Sequence, residues 1–197
     1  MKTKQHNVQQ GPIRITTPLT DPVIGGLKAG DRVLLSGVVY TARDAAHQRL
    51  VETLSAGQEL PLPLTGQVIY YAGPAPTRPG QIIGPAGPTT SSRMDSLTLP
   101  LLEAGLKGMV GKGNRSPEIR QAIVRHRAVY LVAVGGAAAL ISQRITKMDL
   151  VAYEDLGTEA VYRLEFLDFP LVVANDMYGG DLYEQGVAAY RDVEKLK

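Results

Sequence analysis

The chain has 197 residues, 44% of them hydrophobic and 20% charged, with a formal net charge of +2. That balance supports a buried core and excludes a disordered or fibrous chain, and no apolar run approaches the roughly 18 residues of a membrane-spanning helix. The absence of cysteine excludes a disulfide, a thiolate zinc site, a catalytic cysteine and an iron–sulfur cluster ligated by this chain.

The first ten residues read as a loose arm, with an arm over 1–11 and one domain over 12–197 expected. Met1 to Asn7 is polar rather than an apolar signal segment, so a cytoplasmic location is expected. From Pro12, Ile13 and Ile15 alternate with Arg14 and Thr16 as in a strand. Gly30-Asp31 makes a turn, and Arg32 to Tyr40 is β-rich with a glycine bulge. Thr41-Ala42-Arg43-Asp44 has capping-box spacing and opens a helix through about Ser55, with Ala46, Leu50 and Leu54 as its buried stripe. Gln67 to Tyr71 is a short strand, followed by a Pro/Gly-dense stretch from Gly73 to Pro88.

A second capping-box pattern, Ser92 with Asp95, starts the next helix, which Pro100 kinks or restarts. Met109-Val110 is a strand. Ser116-Pro117-Glu118 has the cap and first-turn chemistry of a helix start, and Ala128 to Val134 is a buried strand. Gly135-Gly136 leads to a short helix over Ala137–Ile141. Strands follow at Ala160–Phe166 and Leu171–Ala174, and a closing helix runs from about Leu182 to Leu196. Interleaved strands and helices give one α/β domain.

Charge is uneven: residues 1–150 carry 17 Lys/Arg against 9 Asp/Glu, and residues 151–197 carry 4 against 10. Between Lys107 and Arg127 stand six basic residues and one acid, Glu118, with no aromatic residue to stack on a base. No nucleic-acid partner is expected. A solvated helix face and a small-anion site both fit. Three cationic positions stand beside a helix start or a glycine turn. Arg43 lies at a helix entry, where free backbone N–H groups favour an anion but an arginine opposes the helix dipole. Gly84 to Arg93 reads G-P-A-G-P-T-T-S-S-R; a helix cap uses one of those four hydroxyls, not all four. Gly111-Lys112-Gly113 lacks the spacing of a phosphate-binding P-loop, so a surface turn or a point charge for a carboxylate both fit. Gly135-Gly136 lacks a dinucleotide fingerprint. His6, His47 and His126 share no metal-ligand spacing; His47 reads as a partly exposed surface residue. Asp176 and Asp181 read as caps or turn residues.

Taken in order, these pieces identify a family resemblance. Tyr70-Tyr71-Ala72-Gly73-Pro74, G-P-A-G-P-T-T-S-S-R-M-D from Gly84 to Asp95, Gly111-Lys112-Gly113, Gly135 to Leu140 and Asp168-Phe169-Pro170 resemble the β subunit, or C-terminal domain, of class I fumarate hydratases and L-tartrate dehydratases. The resemblance implies a swivelling β/β/α domain packed on a cysteine-bearing α subunit, as a heterotetramer. That subunit would hold a [4Fe–4S] cluster. It further implies reversible hydration of a dicarboxylate double bond, with Thr89 as the base and Arg43, Thr90, Arg93 and Lys112 holding the carboxylates. The chain departs from the family pattern at Pro85 and over Asn175 to Asp181. Fumarate and malate lead as substrates, with tartrate and a methyl-substituted fumarate (mesaconate) behind. The rival from another class is a non-catalytic anion-binding or assembly subunit.

Overall fold

Apolar side chains alternate along each central strand between two separate cores, and that alternation dictates the architecture. A computed structural model describes residues 11–191. Seven strands occur in it: β1 (Ile13–Thr16), β2 (Arg32–Thr41), β3 (Val68–Tyr70), β4 (Gly108–Gly111), β5 (Val129–Val132), β6 (Ile145–Ala152) and β7 (Val161–Asn175). The α-helices are α1 (Asp21–Gly25), α2 (Asp44–Ser55), α3 (Asp95–Glu103), α4 (Pro117–Arg125), α5 (Ala138–Ser142) and α6 (Leu182–Tyr190). β2, β3, β4 and β5 are consecutive parallel neighbours. β7 runs antiparallel to both β5 and β2, so the five strands close into a barrel. β1 extends the sheet along β2, and β6 along β7.

Val68, Tyr70, Val110, Val129 and Leu131 point into the barrel with Val33, Leu35, Phe169 and Val173. Their neighbours Ile69, Tyr71, Met109 and Tyr130 face outward onto a helical layer supplying Ala46, Leu50, Leu101, Leu102, Ile119 and Ile123. In that layer α2 packs on α3 and α3 on α4. Each fully buried leucine stabilises the fold by roughly 1.5–3 kcal/mol relative to exposure. The α/β class expected from the sequence is the one observed, here as a barrel with a layer of helices packed on it.

Barrel closure depends on a shared bend. Gly37 has φ +99°, and a Cβ there would lie 2.5 Å from Thr17 Oγ1, so the expected glycine bulge is present where β2 shifts register against β7. Opposite it, Asp168 also has positive φ, and its N–H is satisfied by Ser36 Oγ at 3.0 Å. The two runs expected at 160–166 and 171–174 are therefore one bent 15-residue strand. Its first half pairs with β6 and its last residues with β5.

Several local expectations are corrected. Thr41 does not cap α2. It is the buried last residue of β2, donating to Ala160 O at 3.2 Å and accepting from Tyr162 N–H at 2.9 Å. Arg43 occupies the cap position, and Glu159 accepts the Ala45 N–H at 3.1 Å. Ser92 and Asp95 form no capping box; a 3₁₀ turn over Ser91–Met94 precedes α3, and Asp95 is engaged elsewhere. Pro100 sits inside the unbroken α3. Ser116 does cap α4, accepting from Ile119 N–H. The closing helix ends at Tyr190, because Arg191 is extended; residues 192–197 of the expected helix, and the arm apart from Gly11, lie outside the described residues. No helix among the described residues is long and apolar enough to cross a membrane.

Candidate functional site

The C-terminal ends of parallel strands are where α/β sheets gather ligand-binding loops. Here the ends of β2, β3 and β4 deliver all three cationic positions to one edge. β2 ends at Thr41, and Arg43 follows at the start of α2. After β3 the chain leaves through the Pro/Gly stretch and returns to lie alongside. Thr89 N–H donates to Tyr71 O at 2.6 Å, Lys112 N–H to Thr89 O at 3.2 Å, and Ser91 N–H to Lys112 O at 2.9 Å. Thr90 and Lys112 form a parallel bridge. Thr89, Thr90 and Lys112 are thus fixed to one another by backbone hydrogen bonds.

Gly111 permits that approach. A Cβ there would lie 1.9 Å from Ser91 Oγ and 2.9 Å from the Tyr71 ring. Beyond Lys112, the turn after β5 closes the edge: a Cβ on Gly135 would stand 3.6 Å from Lys112 Cδ.

The arginines attach to this row through carboxylates. Arg93 donates from Nε and Nη2 to the two oxygens of Asp44 at 3.0 and 2.8 Å, which links it to the segment carrying Arg43. Arg43 pairs with Glu159 at 3.2 Å. Arg43 is half-buried, and its Nε is buried without a partner among the described residues. Asp44 occupies only the Nε–Nη2 edge of Arg93, which leaves Nη1 for another anion. Lys112 is exposed and has no ion pair among the described residues. Three cations and two own-chain carboxylates leave a local charge of about +1, which suits an added anion.

All five residues singled out in the sequence therefore share one edge of the sheet. Thr89 is half-buried, while Thr90, Arg93 and Lys112 are exposed. None of them lines the cleft of about 600 Å³ bordered by Arg78, Ile82, Pro85 and Gln143, nor the one of about 530 Å³ beside Leu60 and Leu64. The row lies open on the surface.

Sequence reasoning misplaced His47 and overlooked Arg115. His47 is fully buried on α2, edge-on to Tyr71 with ring centroids 5.2 Å apart, and burial lowers its pKa to about 4. Its Nδ1 lies 3.0 Å from Arg43 O; the carbonyl can only accept, so the neutral ring carries its proton on Nδ1. Arg115 is buried beneath the row. Burial disfavours its charge, but Tyr71, Asp95 and Tyr130 together outweigh that and raise its pKa. Asp176 and Asp181 act as expected: Asp176 accepts three backbone N–H groups, and Asp181 caps α6.

Among the described residues no group of three or more His, Asp or Glu is placed to hold a metal ion.

Comparison with known proteins adds the following. The family model described as Fumarase C-terminus matches residues 1–186. An anaerobic class I fumarate hydratase of Escherichia coli is 42% identical over 157 residues, covering 78% of this chain and 28% of that protein. Fumarate hydratase 2 of Leishmania major is 39% identical over 161 residues, covering 81% and 28%. A putative L(+)-tartrate dehydratase subunit beta of Methanocaldococcus jannaschii is 38% identical over 173 residues, covering 85% of this chain and 89% of that subunit. The chain therefore spans little more than a quarter of those two fumarate hydratases and nearly the whole of the tartrate dehydratase subunit.

Proposed function

The chain belongs to the Fumarase C-terminus family, and from that premise we propose that it is the β subunit of a hydro-lyase that reversibly hydrates fumarate to L-malate. The observation that carries this reading is the bonded row of Thr89, Thr90 and Lys112 beside Arg43 and Arg93. It combines hydroxyl groups with cations on one exposed edge, as binding and deprotonating a small diacid require.

In the dehydration direction the Thr89 hydroxyl, as its alkoxide, takes the carbon-bound proton of malate. The electron pair left on carbon forms the double bond as hydroxide departs from the adjacent carbon, and that hydroxide takes the proton from Thr89, leaving as water and restoring the alkoxide. In hydration water gives one proton to the Thr89 alkoxide and its hydroxyl group to one carbon, while the proton passes from Thr89 to the adjacent carbon. A threonine is a poor base in water, so the reaction needs the cationic field of Arg43 and Lys112 and a site closed from solvent. Arg93, with Thr90 beside it, holds a carboxylate through its remaining N–H groups.

The [4Fe–4S] cluster implied by the family does not fit this chain, which has no cysteine and no clustered ligands among its described residues. The cluster belongs on a cysteine-bearing α subunit, with which this chain forms a heterotetramer that covers the open row. A second reading, L-tartrate as the diacid, is favoured by the match to nearly the full length of a tartrate dehydratase β subunit.

Anaerobic co-purification with a cysteine-bearing α subunit tests the proposal. The complex is expected to hydrate fumarate, or to dehydrate tartrate under the second reading, while each chain alone is inactive. Turnover by the isolated chain, or a formed complex inactive on both diacids, would overturn it.

A further inference from the structure

The Arg115 side chain is 0% exposed, and each of its nitrogens has a partner. Nε donates to Asp95 Oδ1 at 2.6 Å, Nη1 to the Tyr71 hydroxyl at 3.1 Å and Nη2 to Thr98 Oγ1 at 2.8 Å. Its guanidinium carbon lies 5.4 Å from the Tyr71 ring centroid and 5.1 Å from that of Tyr130. Burying an ion pair is an inefficient way to stabilise a core, because desolvation offsets much of the attraction. What the arrangement does achieve is visible at the other ends of the two tyrosines. The Tyr71 carbonyl accepts the Thr89 N–H. The Tyr130 hydroxyl lies 2.8 Å from both Ser91 Oγ and Gly113 O. The Tyr71 backbone, beside the ring that Arg115 holds, thus anchors the segment carrying Thr89, and the Tyr130 hydroxyl ties that segment to the turn carrying Lys112.

We infer that Arg115 is a positioning residue, which acts through Tyr71 and Tyr130 to hold Thr89 and Lys112 in register for the diacid. Its kinetic consequence rests on the proposed hydro-lyase reading; its structural consequence does not. If Arg115 served general stability alone, its loss would lower the melting temperature and speed amide exchange broadly, leaving kcat and KM of the folded fraction unchanged.

Amide hydrogen exchange on the full chain, wild type against Arg115→Met, separates the two roles. The Thr89, Ser91 and Lys112 amides are expected to exchange about tenfold faster, the factor for roughly one buried hydrogen bond. Barrel amides such as Val39 and Leu131 should keep their rates. In the complex with the α subunit, kcat should fall and KM rise well below the melting temperature. Tyr130→Phe, which removes only one hydroxyl, should reproduce the Ser91 change and decides the matter if Arg115→Met does not fold. Unchanged exchange at those amides, or a uniform rise across the barrel, would overturn the inference. An inactive wild-type complex would overturn the enzymatic reading, while the exchange data would still decide the positioning role.

Discussion

Acid should weaken this fold through one residue before the carboxylates contribute. His47 is fully buried, its Nε2 has no partner among the described residues, and burial lowers its pKa from 6.5 to about 4. The folded chain keeps the ring neutral, whereas the unfolded chain binds a proton once pH falls below 6.5. The unfolded state then holds more protons, so stability is present above pH 6.5 and is lost as pH falls toward 4. A depression of 2.5 units corresponds to about 3 kcal/mol in full, of which about 2 kcal/mol is lost between pH 7 and pH 5. Asp21, held low by Lys107 and then Arg127, and Asp155, held low by Arg49, lose their contributions only at more acid pH, near and below 3.8. Urea unfolding followed by circular dichroism at pH 7, 6 and 5 measures the effect. Wild type should lose about 2 kcal/mol across that window. His47→Gln, less stable at pH 7, should be nearly flat over it. An equal fall in both proteins would refute the assignment to His47.

Other substitutions test the row itself. Gly111→Ala places a Cβ against Ser91 and Tyr71 and should cost about 1–3 kcal/mol, a fall of roughly 2–12 °C in Tm by calorimetry. Adding Ser91→Gly should restore part of that loss, and an unchanged Tm for Gly111→Ala would contradict the close approach. Arg93→Lys keeps the charge but cannot engage Asp44 and a substrate carboxylate with one planar group, so KM for the diacid should rise about tenfold with a smaller change in kcat. Steady-state kinetics on the assembled complex would show otherwise if kcat fell and KM held.

The sequence was most readable where local chemistry and tertiary packing agree. Ser116-Pro117 started a helix as its residue types require, and the alternating strands separated two cores without further information. Thr41 misled because β2 pairs with β3 as far as Thr41 and its hydroxyl bonds Ala160 and Tyr162, while the cap function passes to Glu159, more than a hundred residues away. β6 escaped notice because it is a partly exposed edge strand with no clean alternation. His47 looked like a surface histidine because nothing in its own neighbours shows the Tyr71 ring against it. The residues proposed for the site were legible one segment at a time, since each cation stands beside a helix start or a glycine turn. Their convergence was not, because it arises from the parallel order of β2, β3 and β4. Arg115 could not be told from the other basic residues between Lys107 and Arg127, because what sets it apart is burial between two tyrosines and an acid.

Steady-state hydration of fumarate by the anaerobically assembled complex carrying Thr89→Val tests most directly whether this chain supplies the base. Valine keeps the shape of threonine and removes only its hydroxyl, so diacid binding by Arg43, Arg93 and Lys112 should persist. With the base gone, kcat should fall on the order of 10²–10⁴-fold while KM stays close to wild type. A kcat within a few-fold of wild type would contradict the assignment and move the base onto the α subunit.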